Sequence, residues 1–183
     1  DVIDAIYEHE SGTKIIPSSL SVRELRKINH SKLKDVGKKL RKMADYIIFD
    51  SAAGLGAEAI AAIEAADELI IVTNPEIPAV TDALKTSKVI EELGKDVRGV
   101  IVTRVANIRN EMPIANIQDM LELPIIGVVP EDRRVKQSVL AKDALVHAFP
   151  NSKAARAYRK IAARIIGHTA YKEKRGFWDR LFG

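Results

Sequence analysis

The residues best suited to chemistry lie in one stretch, ADYIIFDSAAGLG, at 44–56. Its apolar run YIIF, at 46–49, does not alternate with polar residues, which predicts a strand buried on both faces of a parallel sheet. Asp50 follows the run and precedes a loop of small residues that includes Gly54. Ligands of open α/β sheets collect beyond the carboxyl ends of the strands, where a carboxylate can hold Mg²⁺ beside a nucleotide phosphate. The alternative is that Asp50 only ends the strand and caps the next element.

Composition limits the kinds of protein this chain can be. The 183 residues, 46% of them hydrophobic, are enough for one globular domain with a core. There is no cysteine, which excludes disulfides, zinc-thiolate sites and cysteine-held iron–sulfur clusters and is compatible with a reducing cytoplasm. The four histidines are far apart in sequence and do not predict a metal site. No apolar run approaches the roughly 18 residues of a spanning helix, and no signal peptide is visible.

Apolar strands alternate with amphipathic helices along most of the chain. The predicted strands are 13–17, 46–49, 68–73, 97–102, 124–129 and a short one near 145–148. The predicted helices are 1–8, 31–43, 57–66, 79–93, 114–121, 134–141 and 152–166, with a polar connection at 18–28. Strands that recur about every thirty residues with helices between them indicate βαβ units. The predicted fold class is therefore α/β, a mostly parallel sheet with helices on both faces.

The helix at 31–43 has one strongly basic face. Its cations are Lys32, Lys34, Lys38, Lys39, Arg41 and Lys42. Such a face is usually a solvated helix surface. The alternative is a non-specific contact with DNA phosphates, which requires only positive charge.

The C-terminal segment predicts a membrane-targeting helix at 176–183, joined to the domain 1–167 by a linker at 168–175. Its apolar residues fall on one helical face: Phe177, Trp178, Leu181 and Phe182. The cations beside them are Lys172, Lys174, Arg175 and Arg180. An apolar stripe with Trp and Phe beside basic residues is typical of a helix lying in a membrane interface. The alternative is that the segment docks on its own domain or on a sister subunit.

Several motifs, in this order, resemble one family. DYIIFDSAAGLG resembles a strand and switch loop, ADELIIVTNPEIPAVTDALK the next strand, turn and helix, and LPIIGVVPED a strand and turn near an adenine. NSKAARAYRKIAARIIG resembles a last domain helix, and KRGFWDRLFG a C-terminal membrane-targeting sequence. The chain thus resembles the MinD/ParA family of deviant Walker P-loop ATPases, and within it the archaeal and bacterial cell-division type.

The resemblance implies roles for individual residues. Asp50, as the catalytic residue, would hold Mg²⁺ through water, and the backbone at Gly54 would sense the γ-phosphate of ATP. The residues implied to surround the adenine are Thr103, Arg104, Pro130, Glu131 and Asp132. Thr103 is a departure, because many members of the family place an asparagine there. Glu76 and Asp82 fall where the family makes dimer and partner contacts.

A larger departure is that no G-x-x-x-x-G-K-[ST] loop or KGGxGK[ST] variant occurs in these 183 residues. Because the chain begins with Asp1 inside an expected helix, we expect a fragment that lacks the first strand and P-loop and binds ATP poorly or not at all. The intact protein would be an ATP-dependent regulator of division-site placement. It would be cytoplasmic and would bind peripherally to the inner face of the cell membrane. It would form a homodimer with ATP and be regulated by a protein partner.

Two alternatives belong to other classes. One is a ParA-type partitioning ATPase that binds DNA through the basic face of the helix at 31–43. The other is a module without a P-loop that only scaffolds partners.

Overall fold

The computed structural model describes residues 2–17, 32–51 and 54–167. The predicted connection at 18–28 and the predicted linker and terminal helix at 168–183 lie outside these residues. The chain divides into two compact units, Asp1–Asp67 and Glu68–Gly183, which are described separately. Within the described ranges, no helix has the length and apolar character needed to cross a membrane.

The described residues of the first unit form a short hairpin and two helices. After a 3₁₀ turn at Ile3–Ala5, strands β1 (Tyr7–Glu8) and β2 (Lys14–Ile15) pair antiparallel. Helices α1 (Leu33–Leu40) and α2 (Ala57–Ala65) pack against each other. The helix predicted at 1–8 is wrong, because the chain after Ile3–Ala5 is extended and pairs with β2 instead of continuing a helical hydrogen-bond ladder.

The strand predicted at 46–49 is also wrong. Residues 44–51 are not in a strand, and none of the described strands pairs with them. Tyr46 is 63% exposed and Ile48 is 89% exposed, so the run is not buried on both faces. An apolar sequence becomes a strand only when a neighbouring chain satisfies its backbone N–H and C=O groups. The described residues provide no such neighbour at this position.

The second unit is built on a parallel sheet of order β3–β4–β5. Its strands are β3 (Leu69–Thr73), β4 (Val97–Val105) and β5 (Ile125–Pro130). Both strand pairs are parallel, as predicted. The first connection is helix α3 (Ile77–Glu92) and the second is α4 (Ile114–Leu121), which gives two consecutive βαβ units.

Between β5 and Gly167 the chain forms three more helices: α5 (Arg133–Leu140), α6 (Leu145–Ala148) and α7 (Lys153–Ile165). Helix α7 packs on one face of the sheet, where Ile101, Val129 and Ile161 form a buried cluster. Val100 and Val102 are fully buried and point to the opposite face, since side chains alternate along a strand. Helix α3 packs against β3 and against α4.

Most predicted bounds in the second unit agree with the structure to within a few residues, and α4 agrees at both ends. The predicted strand near 145–148 is wrong, because these residues form α6. A four-residue apolar segment fits a strand or a helical turn equally well, and the i→i−4 bonds from Ala148 and Phe149 decide for the helix.

Candidate functional site

The carboxyl ends of β3, β4 and β5 meet at one edge of the sheet, because the strands are parallel and neighbouring. The predicted residues at this edge are Thr103, Arg104, Pro130, Glu131 and Asp132. The structure therefore brings together, along two adjacent strand ends, all the residues that the resemblance assigned to an adenine pocket. Thr73, at the end of β3, joins them.

A bulge in β4 shapes this edge. Val102 pairs with Val128, but the next pair is Val105 with Pro130, so β4 contains one residue more than β5 between these pairs. Arg104, inside the bulge, has a φ of 58°, in the left-handed region that costs an L-residue roughly 1–2 kcal/mol. Bulges re-aim side chains and are over-represented next to active sites. Strained backbone of this kind clusters at functional sites.

The bulge directs two neighbouring side chains differently. The Thr103 hydroxyl donates a hydrogen bond of 3.1 Å to the backbone carbonyl of Thr73, which ties β4 to β3. The guanidinium of Arg104 faces the other neighbour, with its Nε 3.5 Å from Oε2 of Glu131. Because the Thr103 proton is used within the sheet, Arg104 is the side chain at this bulge that is available to a ligand.

Asp132 has a structural role that the sequence did not reveal. One carboxylate oxygen accepts the backbone N–H of Arg134 at 2.9 Å and caps α5, and the other accepts the N–H of Ala154 at 3.2 Å near the start of α7. Bonding to the Arg134 N–H is the largest cause that holds the pKa of Asp132 below its usual value, against a smaller opposing effect of burial. This carboxylate joins the N-termini of two helices directly behind Glu131.

Glu111 was not singled out from the sequence. Its carboxylate accepts the N–H of Ala106 at 2.9 Å and of Asn107 at 2.8 Å, and so holds the loop that leaves β4. Asn107 has a φ of 57°, which is common for asparagine in turns. The local signal was an acidic residue a few positions after an asparagine in a polar loop, which is too frequent a pattern to predict the contact.

Asp50 and Gly54 lie in the first unit. Asp50 is exposed and forms no hydrogen bond or ion pair with the described residues. Gly54 has a φ of 96°, and a side chain there would be strained although the space around it is open.

The chemistry of these groups fits a magnesium nucleotide in part. Mg²⁺ in nucleotide sites takes one or two carboxylates together with water and phosphate oxygens, and an exposed, unengaged Asp50 can be one of those ligands. Separately, in the second unit, the exposed guanidinium of Arg104 has the chemistry to pair with a phosphate.

The residues predicted to contact a dimer or partner lie on α3. Glu76 is its N-cap residue and is exposed, and its N–H donates to the side-chain oxygen of Asn74 at 3.1 Å. Asp82, six residues further along the chain, is exposed and pairs with Lys85 at 3.1 Å. The residues predicted to contact a membrane, from Lys172 onwards, lie outside the described residues.

The basic residues of α1 and of the turn after it are exposed, as predicted. Arg41 is engaged by Asp67, with both carboxylate oxygens within 2.7 Å of Nη2. Lys38 lies 3.4 Å from Asp35. These two pairs lower the effective charge of the face.

Comparison with known proteins agrees with this architecture. Residues 31–174 match the model of a family described as 4Fe-4S iron sulfur cluster binding proteins, NifH/frxC family. An uncharacterized ATP-binding protein of Methanocaldococcus jannaschii is 42% identical over 167 residues, which are 91% of this chain and 63% of that protein. The chain thus spans less than two thirds of that relative.

Two solved structures have the same fold. The septum site-determining protein MinD of Pyrococcus horikoshii, complexed with Mg-ADP, is 31% identical, with a TM-score of 0.85 over 95% of this chain and 72% of that one. A MinC:MinD cell division protein complex of Aquifex aeolicus contains a chain that is 24% identical, with a TM-score of 0.78 over 96% of this chain and 72% of that one, a likeness of fold alone.

An α/β fold with a parallel sheet binds its ligands at the carboxyl edge of the strands, and many nucleotide-binding proteins have this architecture. Within that class, this chain belongs to the MinD/ParA, NifH/frxC-like family of P-loop ATPases. The resemblance inferred from the motifs is confirmed. These 183 residues contain no cysteine, so they offer no thiolate for the cluster in the family description.

Proposed function

We propose that this chain forms the body and tail of an ATP-switched regulator that works at a membrane surface, of the type that places a division site. ATP with Mg²⁺ would bridge two subunits, the dimer would present two tails to the bilayer, and hydrolysis would release them. Asp50 would serve the metal, and Arg104 and the strand ends beside it would serve the nucleotide. Glu76 and Asp82 would lie at dimer or partner contacts.

The observation that carries the proposal is the β4 bulge, which puts a strained, exposed Arg104 beside Glu131 in a fold like that of an ADP-bound MinD. Backbone strain that only orients one exposed side chain has no evident benefit for stability. It is consistent with a contact to a charged ligand at the carboxyl edge of the sheet.

The sequence of the tail determines how strongly it would bind a membrane. Each large apolar side chain gains at most about 1.5–3 kcal/mol on burial, and each cation near anionic lipid adds about 1 kcal/mol. Against this stands the cost of ordering a helix far shorter than the roughly 12–15 residues at which an isolated helix becomes marginal. One tail would therefore bind weakly and reversibly, and two tails on a dimer would bind much better through effective concentration.

Sedimentation with vesicles tests the membrane half of the proposal. The full chain and a chain that ends at Gly167 are compared on vesicles rich in phosphatidylglycerol. We expect the shorter chain to lose binding, because the apolar residues from Phe177 onwards are gone. Undiminished binding of the shorter chain would refute the tail as an anchor.

The nucleotide half requires the whole protein. With any segment that precedes Asp1 present, Asp50→Ala and Arg104→Ala are each expected to weaken binding of a fluorescent ATP analogue. Asp119→Ala, on α4, is a suitable control outside the strand ends. If Arg104→Ala and Asp119→Ala bind the analogue equally well, Arg104 has no role in nucleotide binding.

A DNA-bound partitioning ATPase is the second candidate, favoured by the exposed cations of α1 and the turn after it. DNA retention that falls steeply with salt and survives removal of residues 168–183 would support it. Charge reversal at Lys34 and Lys39 would then abolish that retention.

A further inference from the structure

Helix α5 has an outer face that combines exposed apolar residues with cations. Ser138 is 3% exposed and faces the interior. Lys136 and Leu140 lie two residues before and after Ser138, about 200° around the helix, and therefore point away from the protein. Leu140 is 83% exposed and Val139, on the flank, is 71% exposed. These are large apolar side chains that folding leaves in water.

The charges around Leu140 are mostly positive. Arg133 and Lys136 lie on the same ridge of α5, and Lys142 follows the end of the helix. Among the described residues, none of these three cations forms an ion pair. The wider segment 131–167 contains nine Lys and Arg against three Asp and Glu, a net charge of +6 that exceeds the +4 of the whole chain. The excess positive charge of the protein thus belongs to the part that presents Leu140.

We propose that this face, Arg133, Lys136, Val139, Leu140 and Lys142, is a second membrane contact that binds an anionic lipid bilayer. Leu140 and Val139 would enter the boundary between headgroups and acyl chains, and the cations would remain at the level of the phosphates. The inference rests on the proposed function in one respect, that the chain works at a membrane.

Other occupants fit this face less well. A second copy of the chain would bring the same cations against each other, and the face of one short helix is well below the roughly 800 Å² per partner of a stable interface. A nucleic acid would satisfy the cations but would leave Leu140 and Val139 without an apolar environment. A bilayer interface accommodates both kinds of side chain.

The proposed face on α5 and the proposed membrane helix belong to one chain. The last described residue is Gly167, and eight further residues, 168–175, precede the predicted membrane helix. Eight residues span at most about 26–29 Å, which is the greatest reach that this length of chain gives the tail from Gly167. Two weak contacts on one chain then reinforce each other through effective concentration.

Vesicle binding by full-length variants provides the first test. We expect Leu140→Glu to weaken binding to phosphatidylglycerol vesicles about tenfold and Lys136→Glu severalfold, with little binding to neutral phosphatidylcholine in any case. Ile108→Glu introduces the same charge at a residue that is 61% exposed in the loop between β4 and α4, and it should not change vesicle binding. Trp178→Glu, in the tail, tests the proposed anchor separately. Loss with Trp178→Glu but not with Leu140→Glu would overturn the second contact alone, and the reverse result would overturn the tail alone.

A fluorescence measurement tests the contact directly. Trp178 is the only tryptophan, so Trp178→Phe provides a silent background with an apolar tail. In this background Leu140→Trp should shift its emission to shorter wavelength and resist acrylamide quenching on anionic vesicles, whereas Ile108→Trp should not. The absence of a shift at position 140 would overturn the proposal. A Lys136→Glu variant that loses DNA retention but keeps vesicle binding would also overturn the proposal, since the face would then be a nucleic-acid surface.

Discussion

Lys142 occupies a backbone position that favours glycine. It follows α5 with a φ of 53°, and two hydrogen bonds close the helix around it, from its own N–H to Val139 and from Asp143 N–H to Ser138. This is a Schellman motif, in which the left-handed residue is usually glycine. Replacing Lys142 by glycine removes about 1–2 kcal/mol of backbone strain from the folded state. It also gives the unfolded chain more conformational freedom, which lowers stability by about 0.5–1 kcal/mol.

We therefore expect Lys142→Gly to raise the free energy of unfolding by about 0.5–1 kcal/mol, measured by urea denaturation. Lys142→Ala is the matched control, because it removes the same charge and keeps the Cβ atom that causes the strain. Equal stability of the two variants would show that the free energy of unfolding at this position depends on the charge and not on the backbone.

Asp132 should make stability depend on pH in the acid range. Its native pKa is lowered, chiefly by the Arg134 N–H, so the ionised form is bound more tightly in the folded state. This contribution is fully present above the unfolded pKa of about 3.9 and is lost as the pH falls through the lower native value. Asp132→Asn keeps one acceptor oxygen for two helix ends and should cost about 1 kcal/mol at pH 7.

The measurement is urea unfolding of both proteins between pH 7 and pH 2.5. The difference between them should be constant down to about pH 4 and shrink below it. Asp82→Asn is the control, since the exposed pair of Asp82 with Lys85 contributes about 0.5 kcal/mol or less. A difference that does not change with pH would mean that Asp132 acts only as a neutral acceptor.

Helix α7 packs closely on strand β5. A Cβ atom on Gly127 would collide with the side chain of Ile161, a core residue that is 6% exposed. Glycine at this position therefore serves close packing of the helix on the strand and not an unusual backbone angle. Hydrogen bonds hold both ends of α7 as well. Asp132 accepts one near the start of the helix, and at its end the carbonyl of Ile165 accepts a 2.7 Å hydrogen bond from Arg98.

Gly127→Ala should destabilise the protein by about 1–3 kcal/mol through overpacking. Ile161→Ala alone should cost about 2–5 kcal/mol through the cavity it leaves. The double variant should be less destabilised than the sum of the two, because the smaller side chain makes room for the new methyl group. Additive effects in a double-mutant cycle would show that the two residues do not share this space.

The elements that the sequence predicted well have a long hydrophobic pattern, and they pack against elements that are close to them in sequence. Helix α4 agrees at both ends, and the three parallel strands are found in order because each βαβ unit is a local feature. The errors have the opposite character. The run 46–49 has the composition of a strand, but pairing depends on a distant partner, and the segment 145–148 is too short for a period to appear.

The same limit applies to the site. The family resemblance implied that Arg104, Glu131 and Asp132 would surround one ligand. The parallel sheet brings them to one edge, because neighbouring parallel strands end there. The bulge that strains Arg104 and the two helix caps made by Asp132 depend on register and packing between elements. No spacing in the chain encodes either of them.

At the scale of the whole molecule, the two units differ in their cores. In the described part of the first unit the buried apolar residues are Leu40, Ile63 and three alanines. In the second unit they include Val80, Val100, Val102 and Ile117, each fully buried, and the cluster under α7. Because apolar burial is the main favourable term in folding, most of the stability should reside in the second unit.

The fragment 68–167 should therefore fold alone, since it contains the parallel sheet, its helices and its entire core. We expect a cooperative thermal transition and the circular dichroism of an α/β protein, whereas the fragment 1–67, with its alanine-rich interior, should unfold without a sharp transition. In the full chain, amide exchange should be slowest in the central strand β4, whose hydrogen bonds are flanked on both sides, and fast in α1. Slow exchange in α1 would show that the first unit is as stable as the second. A fragment 68–167 that melts without cooperativity would show that the second unit depends on the first for its stability.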